Sequence, residues 1–196
     1  GVFRNSTNSA NDFNVGVNKS VQLNLAYTGA DVGNYMITGQ GLAYASITPK
    51  AVTVSGLTVT SKEYDGTRTA AIGGTAVFNG MVNGDTLTVT ATGLFADKNV
   101  GTGKTVTLSE TFGADKGTSL ANYTMMGQGT AQGDITPRGI TVSGITAADK
   151  TYDATNAATL VMSGLKTPQL VSGDDLKINA TGTFSSADVA WTTATQ

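Results

Sequence analysis

The sequence predicts an all-β fold built as tandem small domains of about 88 residues linked end to end, each a β-sandwich or a β-grasp-like sheet. Three observations carry this expectation. Apolar residues recur at every second position, Asp-Gly and Asn-Gly pairs punctuate the runs, and the whole pattern returns 88 residues further on.

The alternation starts with Val21 and Leu23 beside Ser20 and Gln22, and continues with Val52 and Val54 beside Thr53 and Ser55. It returns at Leu87, Val89 and Ala91 between Thr86, Thr88 and Thr90, and again at Val106 and Leu108 between Thr105 and Thr107. A period of two sends one side-chain set to a core and the other to solvent, which defines a half-buried strand. The solvent-side residue is usually Thr, whose branched Cβ suits a pleated surface. Turn chemistry falls between the runs, at Asp65-Gly66 and Asn83-Gly84-Asp85. No window supports an amphipathic helix, since Thr69-Ala70-Ala71-Ile72-Gly73-Gly74 meets two glycines within a turn.

Ile47-Thr48-Pro49-Lys50 returns as Ile135-Thr136-Pro137-Arg138, and Thr53-Val54-Ser55-Gly56 as Thr141-Val142-Ser143-Gly144. Lys62, Tyr64, Asp65 and Thr67 return as Lys150, Tyr152, Asp153 and Thr155, and Gly84-Asp85 and Phe95 as Gly173-Asp174 and Phe184. The head repeats the middle as well: Asn14-Val15-Gly16 matches Asn99-Val100-Gly101, Asn34-Tyr35 matches Asn122-Tyr123, and Gly39-Gln40-Gly41 matches Gly127-Gln128-Gly129. The expected organisation is the C-terminal half of one repeat over 1–49, a complete repeat over 50–137, and the N-terminal half of a following one over 138–196. A unit of that length buries about 60–65% of its unfolded surface, and a short proline-containing junction favours a semi-rigid string of beads.

Composition removes many chemistries. There is no Cys and no His, which excludes disulfides, the usual zinc sites, thiolate nucleophiles and imidazole bases. Charged residues are 13% of the chain, against about 25% in ordinary soluble domains, while Thr numbers 33 and Gly 25. With a net charge of −2 and no Lys/Arg cluster, neither nucleic acid nor a membrane surface is an expected partner. No apolar run approaches the ~20 residues of a membrane-spanning helix, and Gly1-Val2-Phe3-Arg4-Asn5 does not read as an export signal.

The order Ile-Thr-Pro-Lys, Thr-Val-Ser-Gly, Lys-Glu-Tyr-Asp-Gly-Thr, then Asp97-Lys98-Asn99-Val100-Gly101-Thr102-Gly103-Lys104 and Asn122-Tyr123, resembles the YDG repeat of large bacterial surface adhesins, filamentous-haemagglutinin-like exoproteins. The resemblance covers nearly the whole chain. It implies a tandem β-domain of a secreted or autotransported protein, extracellular on the bacterial surface. The chain departs from the pattern at Ala154, in the head at Arg4–Ala10, and in the tail at Val189-Ala190-Trp191-Thr192.

The candidate motif residues are Tyr64, Asp65, Gly66 and Thr67, with Tyr152, Asp153 and Thr155 in the second copy. A turn-and-anchor role is expected, the ring packing on the core edge and Asp65 accepting from the backbone two residues on; ligand contact is the alternative. Ala154 in place of Gly66 is tolerable there if the position does not need a positive φ. The recurring acids Asp65/Asp153, Asp85/Asp174 and Asp97 raise calcium. They stand singly, however, with neither EF-hand nor nonapeptide spacing, so no cofactor is expected, calcium being the residual candidate. An isopeptide link would need a buried acid, but of the two Glu residues, Glu63 and Glu110, Glu63 becomes Thr151 in the next copy, and a site copied in every bead makes a poor catalytic centre. The four Asn-x-Ser/Thr sites, at Asn5, Asn18, Asn122 and Asn179, match chance expectation, and Gly-Thr-Gly-Lys-Thr at 101–105 lacks phosphate-loop spacing.

The tail ends near the equivalent of Thr107, so it lacks the segment matching Leu108–Pro137, while the head carries that segment at Leu23–Pro49. A window cut from a longer array and strand exchange between copies both fit this phase. The function expected is a non-catalytic stalk or fibre repeat, with a self-assembling filament subunit or a glycan-binding module as alternatives. Its partners would be neighbouring repeats of the same or identical chains, and a host or matrix glycan or protein receptor.

Overall fold

The computed structural model describes residues 2–3 and 12–188; the head segment Arg4–Ala10, with its Asn5 site, and the tail segment at Val189–Thr192 lie outside them. The fold is all-β. Its strands are β1 (Val2–Phe3), β2 (Gly16–Gln22), β3 (Leu42–Ile47), β4 (Lys50–Thr60), β5 (Lys62–Glu63), β6 (Thr69–Asn79), β7 (Thr86–Phe95), β8 (Gly101–Asp115), β9 (Tyr123–Met126), β10 (Thr130–Thr136), β11 (Thr146–Ala147), β12 (Ala157–Ala158), β13 (Leu160–Val161) and β14 (Gly182–Thr183). Among the described residues the helical elements are two short 3-10 turns, Val32–Asn34 and Leu120–Asn122.

Seven strands form one sheet in the order β5-β10-β8-β7-β6-β4-β9, and β1-β2-β3 form a second. The large sheet is mixed. β7 and β8 are antiparallel over ten residue pairs, from Thr86↔Asp115 to Phe95↔Val106, whereas β9 runs parallel to β4 and β5 parallel to β10. Alternation shows directly in burial: Val52 and Val54 are buried while Ala51 and Thr53 are exposed, and Leu87 is buried between half-buried Thr86 and exposed Thr88.

β6 curls the sheet. Thr69 and Ala70 pair with β7, but from Ala71 to Asn79 the strand pairs with β4. The two portions thus become layers, and Val52 from β4, Leu87 from β7 and Tyr123 from β9 share one core with Phe78, Met81 and Met125. Full burial of an apolar side chain of this size contributes about 1.5–3 kcal/mol. Close approach fixes Gly93, where a Cβ would lie 2.6 Å from Ile72 Cδ1 and 2.8 Å from Val106 Cγ1.

The β4–β6 ladder slips between Ser55↔Val77 and Leu57↔Gly74, a bulge set by Gly56 at φ +86° and Gly74 at φ +82°. The bulge leaves the Leu57 backbone in need of partners, and the Gln128 amide supplies both. Leu57 N–H donates to Gln128 Oε1 at 2.9 Å, and Gln128 Nε2 donates to Leu57 O at 2.8 Å. The Glu110 carboxylate in turn accepts from the backbone N–H of Gln128 and Gly129 at 3.0 and 3.2 Å.

By contacts the chain divides into two compact units: Gly1–Ser61 with Arg68–Ala96 and Gly103–Asp134, and Lys62–Thr67 with Asp97–Thr102 and Ile135–Gln196. The first holds β2–β3 and most of the large sheet. The second holds two ribbons, β11–β13 and β12–β14, and the pair formed by β5 and the end of β10.

Candidate functional site

The Lys-x-Tyr-Asp-x-Thr motif forms the same structure twice. Lys62 Nζ donates to Asp65 Oδ1 at 2.8 Å and to the carbonyl and hydroxyl oxygens of Thr67, both at 2.9 Å. Asp65 Oδ1 also accepts from the Thr67 N–H and hydroxyl, each at 2.8 Å. In the second copy Lys150 reaches Asp153 at 2.8 Å and the two Thr155 oxygens at 2.7 and 3.0 Å, while Thr155 N–H and Oγ1 donate to Asp153 at 3.0 and 2.9 Å. A short Asp turn closed by the lysine three residues earlier is a clasp in which one carboxylate oxygen gathers the ammonium, the Thr N–H and the Thr hydroxyl. The lysine and the Thr N–H hold both carboxyls well below the usual range, at about 2.

The residue inside the turn is left-handed in both copies, φ +77° at Gly66 and φ +58° at Ala154. The position therefore uses a positive φ, and alanine occupies it because the clasp around it over-determines the backbone.

Tyr64 is half-buried and Tyr152 is 59% exposed. The Tyr64 hydroxyl donates to Asp174 Oδ1 at 3.1 Å, Lys98 Nζ lies 3.4 Å from the same oxygen, and the ammonium stands 6.0 Å from the Tyr64 ring centroid. Tyr64 and then Asp174 raise the Lys98 pKa. Tyr64 and Asp174 border a shallow groove with Val100, Arg138, Ile140 and Val171.

The other recurring acids are engaged similarly. The Tyr123 hydroxyl donates a short hydrogen bond to Asp85, and burial, followed by that bond, raises the Tyr123 pKa. Asp97 accepts from Asn99 N–H at 2.8 Å, a turn repeated by Asp12 with Asn14 at 3.1 Å and by Ser186 with Asp188 at 3.0 Å. Asp12 is also ion-paired with Lys19 at 2.6 Å, which leads the lowering of its pKa. Among the described residues no three acidic, His or Cys side chains converge on a point that an ion would occupy. The 101–105 stretch runs inside β8.

Sequence reasoning passed over Gln128 and Glu110, which organise the bulge. The signal for Gln128 was present in the recurrence of Gly-Gln-Gly at 39–41 and 127–129.

An all-β chain with duplicated turn clasps, set a fixed interval apart, is a repeat-bearing β protein. The YDG domain model matches residues 48–132 and again 136–195, and the chain belongs to the YDG domain family. No curated protein and no solved structure matches the chain.

Proposed function

We propose that the chain is a non-catalytic structural repeat segment, a stalk or fibre element of a secreted bacterial adhesin, acting at the cell surface between neighbouring repeats. The duplicated clasp carries this reading: the same five hydrogen bonds recur around Asp65 and Asp153, so the motif residues are engaged in holding a turn. Tandem copying of small β-domains suits a spacer, where reach grows with copy number. The Thr-rich solvent faces and low charge suit an exposed, repetitive surface.

Negative-stain electron microscopy of the purified chain, with a glycan-array assay on the same material, tests the reading. Extended rods without saturable sugar binding are expected. Compact globular particles overturn it, and saturable binding to one sugar class replaces it with a glycan-binding module.

A further inference from the structure

The sequence repeat turns over between Pro137 and Arg138, yet side chains from the two sides of that boundary bind one another. The second compact unit joins Lys62–Thr67 and Asp97–Thr102, both from segment 50–137, to Ile135–Gln196. β5 lies parallel to the end of β10, in the register Ile135↔Lys62 and Thr136↔Glu63, and the Tyr64 N–H extends this ladder by donating to Thr136 O at 2.9 Å. That pairing sets Glu63 and Tyr64 beside the proline joint. From there the Tyr64 hydroxyl donates to Asp174 Oδ1 at 3.1 Å, with Lys98 Nζ 3.4 Å from the same oxygen. Glu63 Oε1 lies 3.8 Å from Arg138 Nε. Charges therefore match in both directions, a cation being offered to Asp174 and an anion to Arg138.

The clasp itself uses neither group. Its bonds engage Lys62, Asp65 and Thr67, so the Glu63 carboxylate and the Tyr64 hydroxyl project from a turn that is held without them. A comparable joint stands at the preceding boundary, inside the first unit. Asp12-Phe13-Asn14-Val15-Gly16 matches Asp97–Gly101, and both loops carry the same Asp turn. Residues beyond the boundary hold the first of these loops: Val15 N–H donates to Asn122 Oδ1 at 2.8 Å, and Asn122 Nδ2 donates to Asn14 Oδ1 at 2.9 Å. Val15, Lys50, Val82 and Asp85 border one groove there, as Val100, Arg138, Val171 and Asp174 border one groove at the second boundary. The same four positions thus meet wherever one repeat gives way to the next.

We propose that the clasp is the coupling between successive repeats of one chain: it aims Tyr64 and Glu63, together with Lys98 of the neighbouring loop, at Asp174 and Arg138 of the repeat that follows. The partner is recognised by an acid after the glycine of its Gly-Asp turn and a cation after its proline. Tyr64 to Asp174 is the stronger link, because a hydrogen bond to a carboxylate is charge-assisted. The two ion pairs are partly exposed, so they serve matching more than affinity, rejecting a repeat that presents like charge. The first boundary shows a different key at the same place: Phe13 stands at the position of Lys98, and Asp85 accepts from the Tyr123 hydroxyl. The inference rests on the repeat-segment reading and names what the motif holds.

Amide hydrogen exchange on the whole chain, read residue by residue, separates a coupling from a motif that serves only its own turn. Tyr64→Phe keeps the ring and every clasp bond and removes the phenol hydroxyl. The Leu170 and Asp174 amides, which donate to Thr167 O and Val171 O in the turns beside the joint, are expected to exchange about two- to tenfold faster. The Thr67 amide inside the clasp is expected to keep its wild-type rate. Unchanged exchange at Leu170 and Asp174 overturns the proposal, as does acceleration confined to Thr67. Lys98→Glu sets like charges face to face and is expected to speed the Leu170 amide, and Lys98→Glu/Asp174→Lys to slow it again. A swapped pair no better protected than Lys98→Glu overturns the charge matching. Extended rods with unchanged exchange refute this coupling alone, whereas compact globular particles refute the stalk reading beneath it.

Discussion

Ala154 sits at φ +58°, in the region where a Cβ crowds the following carbonyl, while the matching residue of the other copy is Gly66 at φ +77°. A left-handed conformation costs a non-glycine residue about 1–2 kcal/mol. Glycine offsets part of that by its greater freedom in the unfolded chain, about 0.4–1 kcal/mol. Ala154→Gly is therefore expected to stabilise the second clasp by about 0.5–1 kcal/mol. Gly66→Ala inverts the sign, and its new Cβ also lies 2.8 Å from Val171 Cγ1, which must shift. A loss of about 1–2 kcal/mol is expected there. Amide hydrogen exchange reads both clasps locally, through the Thr155 and Thr67 N–H groups that donate to Asp153 and Asp65. The Thr155 amide should exchange about two- to fivefold more slowly in Ala154→Gly, since 1.4 kcal/mol corresponds to a factor of ten. The Thr67 amide should exchange faster in Gly66→Ala. Faster exchange in Ala154→Gly, or no change in either variant, refutes the assignment of backbone strain to this turn.

Three further outcomes are expected. Asp65 and Asp153 have folded pKa values lowered from 3.8 to about 2, so the clasps' contribution is complete above the unfolded value and is lost as pH falls through 3.8 toward 2. Thermal melts should show Tm falling more steeply over that window in wild type than in Asp65→Asn/Asp153→Asn; equal slopes refute the linkage. Val52→Ala removes two methyl groups from a fully buried site and should cost about 2 kcal/mol or more in urea unfolding, whereas Ile140→Ala, at the half-exposed equivalent, should cost the isolated chain less. Gln128→Ala strips the bulge of two hydrogen bonds and should destabilise by about 1–3 kcal/mol; Gln128→Glu, which retains an acceptor but no N–H donor, should recover only part of the loss.

Alternation identified β4, β7 and the middle of β8 because a half-buried strand writes its faces into adjacent residues, as Val52, Val54, Leu87, Val106 and Leu108 show. It was weaker at the head, where Val21, Gln22 and Leu23 are all half-buried and the two faces barely differ. β6 escaped notice for a local reason. Its Gly73-Gly74 pair serves a bulge and reads as a break, although the strand runs from Thr69 to Asn79. The parallel pairings had no local signature, because alternation reports which face is buried and not which strand lies alongside. In the clasp, Asp65 and Thr67 stand two residues apart and carry a visible turn signal, while the link from Tyr64 to Asp174 depends on folding. The left-handed state of Ala154 was hidden because residue type argued against it.

β4 and β5 belong to the beginning of segment 50–137 and β9 and β10 to its end, yet each early strand lies parallel to a late one. Tension drawing the two ends of that segment apart pulls parallel neighbours along their own axes in opposite directions. Their slanted, evenly spaced hydrogen bonds are then loaded together in shear, whereas a hairpin pulled from its open end parts one bond at a time. The order of strands thus makes the segment a mechanical lock, whose resistance to stretching comes from topology more than from thermodynamic stability.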